Sequence, residues 1–341
     1  MTLPALFAER LDTYATDKSF LAADIGGTKT RLGLFKPGEA GLITVKEQTY
    51  RTRDFSQPVH MIKDFLASEE ETPDKICLGV AGPVKDGSVK LTNAGWEINT
   101  AAIASSFGKV PVYLLNDLEA SAYGIASLKN TDFSVLHKGQ SGSKGNMAVI
   151  APGTGLGEAG LYWDGTLHHP FAAEGGHCDF APRTALDIEL FCWLQQKLGH
   201  VSWERVISGP GIQTIFQFLT EVKKKEVSGR LLDEMEKQDA AGLISQNSGS
   251  CPVCEETMQT FFRYLAYESA NLVLKLKAVG GIFIGGGIIP KNQHLLNKET
   301  FLSHFSDFGR LSWLLEDTPI TIISNPDTAL WGAAYFAALK E

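Results

Sequence analysis

Four groups of residues in this chain of 341 have the types and spacing that chemistry requires. The first is Asp24-Ile25-Gly26-Gly27-Thr28, a carboxylate followed by two residues without a Cβ and then a hydroxyl. Glycine permits positive φ and lets backbone N–H groups close on an anion, and Thr28 adds a donor at the same spot. Asp24 would repel a phosphate directly, so its use beside one is to hold Mg2+, directly or through water, against the phosphate oxygens. An ordinary hairpin turn is the other reading, and a lone Gly-rich turn favours it. The second group is Asn116-Asp117, directly after an apolar run. It either caps the following helix, for which Asn and Asp are preferred, or faces a ligand at the carboxyl end of a strand. The third is Glu174 and His177 around Gly175-Gly176, with Glu204 further on. A carboxylate accepts from two hydroxyls and an imidazole donates or accepts, so Glu174 and His177 suit a polyhydroxyl ligand. Glu204 has the alternative of a salt bridge to a neighbouring basic side chain. The fourth is Gly285-Gly286-Gly287, where a planar or phosphate-bearing ligand could press on bare backbone, or where a strand and a helix pack tightly.

The elements that must position these groups begin with Leu21–Phe35, LAADIGGTKTRLGLF, which reads as two strands joined by the Gly-rich turn. Ala22, Ala23 and Ile25 suit a buried strand. The pattern recurs over Met147–Gly165, MAVIAPGTGLGEAGLYWDG, at one constant offset: 153−26, 160−33 and 165−38 each give 127. Ala151 stands where the first copy has Asp24, so the copies share a backbone device but not a metal-binding carboxylate. That asymmetry suits one nucleotide held between two related lobes. Repeats this far apart mean duplicated domains rather than a solenoid.

Between and after the two hairpins the pattern predicts a strand over 42–50, a helix over 58–68, strands over 75–80 and 87–91, and a polar ligand loop Thr92-Asn93-Ala94-Gly95-Trp96. A helix over 101–107 follows, then a strand over 110–115 and a helix over 118–128. Residues 129–146, rich in Ser, Gly, Lys and Asn, read as a loop crossing between lobes. His168–Arg183 reads as an unusually polar segment between apolar ones. Helices are expected over 184–198, with Trp193 in the core, and over 212–222 and 255–277, while 223–250 is charged and uninformative. A strand within 280–290, a last strand over 319–323 and a helix opened by Asn325-Pro326-Asp327, with Pro at its first position, complete the chain. The boundaries expected are an N-terminal extension at 1–20, a small α/β domain of 21–127 plus 322–341, and a large α/β domain of 128–321.

Composition narrows the classes. With 44% apolar and 21% charged residues the chain reads as globular. A net charge of −8 without a concentrated Lys/Arg stripe argues against nucleic-acid or anionic-membrane partners. No apolar stretch approaches the roughly 18 residues of a membrane span. The first 20 residues carry Glu9, Asp12 and Asp17, unlike a signal peptide, so a cytoplasmic protein with a short extra N-terminal helix is expected. Five scattered cysteines read as reduced thiols. Cys251-Pro-Val-Cys254, the only CxxC and without a second pair, is a minor alternative as a zinc site, and so is a metal site of His168, His169, His177 and Cys178, which lacks a regular ligand spacing.

ADIGGTKTRL, LTNAGW, LLNDLEA, APGTGLG, EGGHCDFAPR, HVSWERVISGPG and GGIFIGGGIIP, in that order, resemble the bacterial glucokinases of the group A hexokinase family from about Leu21 onward. The resemblance implies a two-lobed actin-like ATPase fold, a duplicated ribonuclease H-like α/β architecture with ATP and sugar in an interdomain cleft. It implies phosphorylation of glucose at its 6-hydroxyl, feeding glycolysis, and a homodimer. Asp117 would be the base that accepts the hydroxyl proton, and Asn116, Glu174, His177 and Glu204 would hold the sugar hydroxyls. Ala23 to Thr28 and Thr154-Gly155 would cradle the phosphates of ATP, with Asp24 addressing Mg2+. Two departures are the first 20 residues, which extend beyond the usual start, and Lys29, where a small polar residue is common. The related family of sugar kinases and repressors with a Cys-rich zinc motif fits less well, because its His-and-three-Cys cluster is absent from the sequence. A broader hexokinase, a sugar-sensing regulator and an actin-like ATPase driving a partner are the alternatives on this fold.

Overall fold

The computed structural model describes residues 18–39, 41–69, 72–91, 94–140 and 144–340. The N-terminal extension up to residue 17, and Thr92 and Asn93 of the expected ligand loop, lie outside the described residues. The chain opens with an antiparallel meander, β1 (Phe20–Ile25), β2 (Lys29–Gly38) and β3 (Gly41–Arg51), followed by helix α1 (Pro58–Leu66). β4 (Lys75–Val80) then pairs parallel to β1. A small hairpin of β5 (Ser88–Leu91) and β6 (Trp96–Asn99) leads to α2 (Thr100–Ser106), β7 (Val112–Asn116) and α3 (Asp117–Gly124), whose last turn tightens to a 3-10 helix ending at Ser127. The first sheet has the order β3-β2-β1-β4-β7.

The second sheet repeats this order. β8 (Phe133–His137) precedes β9 (Met147–Pro152), β10 (Leu156–Trp163) and β11 (His168–Ala173). Helices α4 (Ala185–Leu198), α5 (Gly209–Gln217), α6 (Gly229–Met235), α7 (Ala240–Gln246) and the long α8 (Pro252–Leu276) follow. β12 (Gly281–Ile284) comes next, with α9 (Ile289–Asn292), α10 (Lys298–Ser306), α11 (Ser312–Glu316), β13 (Ile320–Ile323) and α12 (Thr328–Leu339) completing the described chain. The order β11-β10-β9-β12-β13 matches β3-β2-β1-β4-β7 strand for strand, with β8 added antiparallel to β13. Both ends of β9 lie 127 residues after those of β1, and β10 starts 127 after β2. The offset read from glycine spacing is therefore the offset of the duplicated strands.

By backbone proximity the chain forms two compact units. Of the described residues, the first comprises those up to Asp132, with Ala159–Ala173 and those from Asn325 on; the second comprises those of Phe133–Glu158 and Glu174–Ser324. In the first unit one face of the sheet buries Leu21, Ala23, Ile25, Ile76 and Leu78 with Met61, Ile62 and Phe65 of α1. Its other face buries Phe20, Ala22, Phe35, Cys77 and Leu115 with Leu330, Ala333, Ala334 and Ala337 of α12. Full burial of each Leu, Ile or Phe side chain contributes about 1.5–3 kcal/mol. The second unit has one large core around α8, with Trp203, Phe218, Phe261, Tyr264 and Leu265 among its fully buried side chains. There α4 starts in a capping box, Thr184 and Asp187 each bonding the other's backbone N–H. Asp187 also accepts from Arg263 Nη2 and Tyr264 Oη of α8, each at 2.8 Å, which fastens the two helices together.

Several expectations are corrected. The crossing loop of 129–146 contains β8, whose five residues present too short an alternation to stand out among Ser, Gly and Lys. The polar stretch after His168 begins as β11, where polar side chains are admitted because only His168 and Pro170 of it are buried. The segment 223–250 holds α6 and α7. The last helix begins at Thr328 with Asp327 as its N-cap, so Pro326 lies before the helix rather than at its first position. The Asn325 side chain instead accepts the Asp327 N–H at 2.8 Å, closing a turn ahead of the helix. Trp193 is half-buried against the core, with Lys197 Nζ 3.7 Å from its ring centroid.

Candidate active site

In the first unit, β1 carries Ala22 and Ala23 fully buried and delivers Asp24 near its carboxyl end, opposite Arg31 of β2. Arg31 bonds Asp327 and, at 3.1 Å, Glu47, so one guanidinium serves three surrounding carboxylates. Burial pushes the Asp24 carboxyl up to about 6; Arg31 opposes this and the Asp327 charge adds to it. A cation beside Asp24 would reverse that penalty, and a single carboxylate completed by phosphate oxygens and water suits Mg2+. The Gly turn follows at once. Gly26 donates to Lys29 O at 3.0 Å and leaves no room for a Cβ, which would stand 2.9 Å from that same oxygen. Gly27 and Thr28 are exposed. Thr52, fully buried, donates its hydroxyl to Gly26 O at 2.8 Å, and its N–H to Thr28 O at 3.0 Å. The turn is therefore clamped at both ends from beyond β3, a role that sequence spacing does not reveal.

Asn116 ends β7 and is the N-cap of α3, its Oδ1 accepting from Leu118 N at 2.9 Å and Glu119 N at 3.4 Å while Nδ2 donates to Gly82 O at 3.3 Å. The capping reading thus holds for Asn116. Asp117 is the first residue of the helix, and its Oδ1 accepts the Leu118 N–H at 2.9 Å. The helix is held in place from behind. Gly124 of α3 and Gly332 of α12 bring the two helices together: a Cβ on Gly332 would stand 2.7 Å from the Ala120 carbonyl carbon and closer still to its oxygen.

In the second unit, β9 and β10 are joined by Gly153-Thr154-Gly155, where Gly153 donates to Gly155 O at 2.8 Å. Gly285 N–H bonds Ile150 O at 2.9 Å, and Gly286, at φ +82°, passes so close to β9 that a Cβ would lie 3.0 Å from the Ala151 carbonyl carbon. Tight packing is therefore what Gly286 does here. It also sets the open Gly287 beside the end of β9 that leads into the Thr154 turn.

The same turn meets Glu204. Its Oε2 accepts the Leu156 N–H at 3.0 Å, and a Cβ on Gly155 would fall 2.5 Å from that oxygen. Glu204 thus has a backbone partner, where a basic side chain was the alternative. The 3-10 turn that carries it, Trp203–Arg205, is stitched to the other polar group: Trp203 N–H donates to Cys178 O at 3.0 Å and Phe180 N–H to Val201 O at 2.9 Å. Glu174 precedes the turn Gly175–His177, both its side chain and that of His177 being exposed. Gly176 lies on Leu156, with no more than 3.0 Å from a Cβ to its carbonyl carbon. Glu174, His177 and Glu204 are thereby gathered by one strand start, two acceptors and an imidazole in the donor and acceptor mix that a polyhydroxyl ligand uses.

The metal alternatives do not assemble. His168 is buried beside Trp163, ring centroids 4.6 Å apart, whereas His169 bonds Asp164 at 2.7 Å. Among the described residues no three His, Cys, Asp or Glu come together as ligands. Burial and the neighbouring Cys251 push the Cys254 thiol up to about 12. Among the described residues no helix is long and apolar enough to cross a membrane.

A family model described as Glucokinase matches residues 21–340. The glucokinase of Trichormus variabilis is 38% identical over 337 residues, 93% of this chain and 98% of that one. The glucokinase of Saccharophagus degradans is 32% identical, with 92% and 97% covered. Among solved structures, a glucokinase from an Antarctic psychrotroph matches with a TM-score of 0.81 at 33% identity, covering 95% of this chain and 99% of that one. A ROK family glucokinase from Streptomyces griseus in complex with glucose and AMPPNP shares the fold, with a TM-score of 0.61 at 21% identity and 94% and 100% covered. This chain, a sugar kinase built of two related α/β lobes, belongs to the glucokinase family.

Proposed function

We propose that the chain transfers the γ-phosphoryl group of ATP to the 6-hydroxyl of D-glucose. The observation that carries this reading is the grouping of Glu174, His177 and Glu204 on the start of β10, an acceptor-rich set with one amphoteric ring. Glu204 spends Oε2 on Leu156 and offers its other oxygen to a sugar hydroxyl; Glu174 and the His177 ring take further hydroxyls. Asn116, held by its own capping bonds, orients the sugar beside Asp117. Asp117 is the general base: it takes the 6-hydroxyl proton as that oxygen attacks phosphorus, which requires a carboxylate and little covalent chemistry from the protein. Ala23, Ile25, Gly26, Gly27 and Thr28 on one hairpin, and Thr154 and Gly155 on the other, cradle the phosphates with Gly285 and Gly286 beside the second. Asp24 holds Mg2+, which when bound neutralises charge on the transferring phosphates.

The matching strand order of the two sheets supports an actin-like ATPase placement within the group A hexokinases. The acidic balance of the chain supports a cytoplasmic enzyme of glycolysis without nucleic-acid or membrane partners, and the family resemblance supports a homodimer. The test is sugar 6-phosphate formation from MgATP across a panel of hexoses, coupled to a dehydrogenase, with Asp117→Ala alongside. Turnover of glucose that falls by on the order of 10² to 10⁴ in kcat is expected for loss of a general base. Near wild-type turnover in Asp117→Ala would refute the assignment of the base.

A further inference from the structure

Beneath the sugar-facing turn lies a pair of buried carboxyls that the reaction does not use. Glu158 of β10 is 1% exposed and Glu268 of α8 fully buried. Glu268 accepts from Asn271 Nδ2 at 2.8 Å and from Lys275 Nζ at 2.9 Å, so it is the ionised partner. Among the described residues Glu158 Oε1 is buried without any N–H or O–H donor in reach, and its carboxyl neighbours that of Glu268. Two carboxyls bond each other only when one carries a proton, and a buried oxygen without a donor disfavours charge. Directly above, the backbone of Gly175 rests on the Glu158 carboxyl: a Cβ there would stand 2.7 Å from Glu158 Cδ.

We propose that Glu158, as the neutral acid bonded to the Glu268 carboxylate, is a positioning residue that seats the Glu174–His177 turn, and that loss of its proton unseats the turn and weakens sugar binding. This rests on the sugar-kinase reading of that turn. Once Glu158 ionises, Lys275 faces two buried negative charges instead of one, and the pair is driven apart against the Gly175 backbone. The charged and titratable groups around it are Glu268 and Lys275 from α8, Glu174, His177 and Cys178 from the turn, and Glu204 through Leu156. Burial and the Glu268 charge push Glu158 up to about 8. The proton is therefore held at pH 7 and largely lost by pH 9.5.

The test is the glucose KM and kcat of the wild type and Glu158→Gln from pH 6.5 to 9.5 at saturating MgATP. Apparent affinity falls with the fraction of competent protein, so the wild-type glucose KM should rise on the order of 30-fold from pH 7 to 9.5 while kcat changes far less. Glu158→Gln keeps the shape and an N–H donor toward Glu268 but has no proton to lose, and its KM should stay flat. An equal alkaline rise in both proteins, or no rise in the wild type, overturns the proposal. A second arm does not depend on that variant: Glu158→Ala, which removes the carboxyl on which Gly175 rests, should raise glucose KM at pH 7 at least tenfold with kcat changed far less, and should show no further alkaline rise. A glucose KM within twofold of wild type in Glu158→Ala also overturns it. No hexose turnover at any pH would instead defeat the sugar-kinase reading, whereas turnover at pH 7 with a pH-independent KM defeats this inference alone.

Discussion

Replacing Gly332 by alanine separates two effects of opposite sign. On an open helix surface, glycine to alanine stabilises by about 1 kcal/mol through helix propensity. At Gly332 the new Cβ would stand 2.7 Å from the Ala120 carbonyl carbon, against about 3.7 Å for ordinary carbon contact, and closer still to the Ala120 oxygen, so α3 and α12 must part by at least about 1 Å. Overpacking of this kind costs about 1–3 kcal/mol, which outweighs the propensity gain and lowers Tm by roughly 2–4 °C per net kcal/mol lost. The shift is delivered to the N-terminus of α3, where Asp117 sits, and a misplacement near 1 Å at a reacting group costs on the order of 10² in rate. Thermal unfolding by circular dichroism and the dehydrogenase-coupled assay read the two consequences. The expected outcome is a lower Tm and a kcat reduced tens- to a hundredfold. A raised Tm with kcat within twofold of wild type would refute the close-packing argument.

Thr52→Val should act on the nucleotide side. It removes the donor to Gly26 O and the partner of the Thr30 hydroxyl, 3.0 Å away, at a cost of about 1–3 kcal/mol for buried groups left unpaired; ATP KM should rise several-fold with glucose KM unchanged, and an unaltered ATP KM beside a lowered Tm would deny the clamp its role. Stability should also depend on pH through Glu158. The folded protein holds a proton up to about pH 8 that an ordinary unfolded glutamate, at 4.5, has lost, so this contribution is complete below 4.5 and disappears as pH rises through 8. Tm followed from pH 6.5 to 9 should fall in the wild type relative to Glu158→Gln, the gap widening up to about pH 8 and levelling off above it; parallel curves throughout would exclude the protonated pair.

The hairpin duplication was legible because glycines at fixed offsets survive in the sequence, and the same offset reappears in the strand bounds. Asn116 and Asp117 were legible as a pair, although only the structure separates the capping side chain from the one beside it. The supporting partners were not legible. Arg31 meets Asp327 across 296 residues, and Glu158 meets Glu268 across two elements that share no motif; a long-range ion pair leaves no local periodicity to read. β8 and β11 were missed for a different reason, since a five- or six-residue edge segment with few buried positions lacks the alternation on which strand reading depends. Pro326 misled because Pro suits both the first turn of a helix and the turn ahead of one, and the Asn325 side chain decides for the latter.

The first unit is finished by α12, which begins 212 residues after β7 ends at Asn116. At about 5–20 residues per second, a ribosome emits that helix roughly 10–40 s after the five strands it covers. Throughout that interval the sheet face of Phe20, Ala22, Phe35, Cys77 and Leu115 has none of the Leu330, Ala333 and Ala334 side chains that later bury it. The nascent chain thus carries a long-lived apolar sheet face that a chaperone can grip, and a translational pause placed before codon 328 lengthens its exposure.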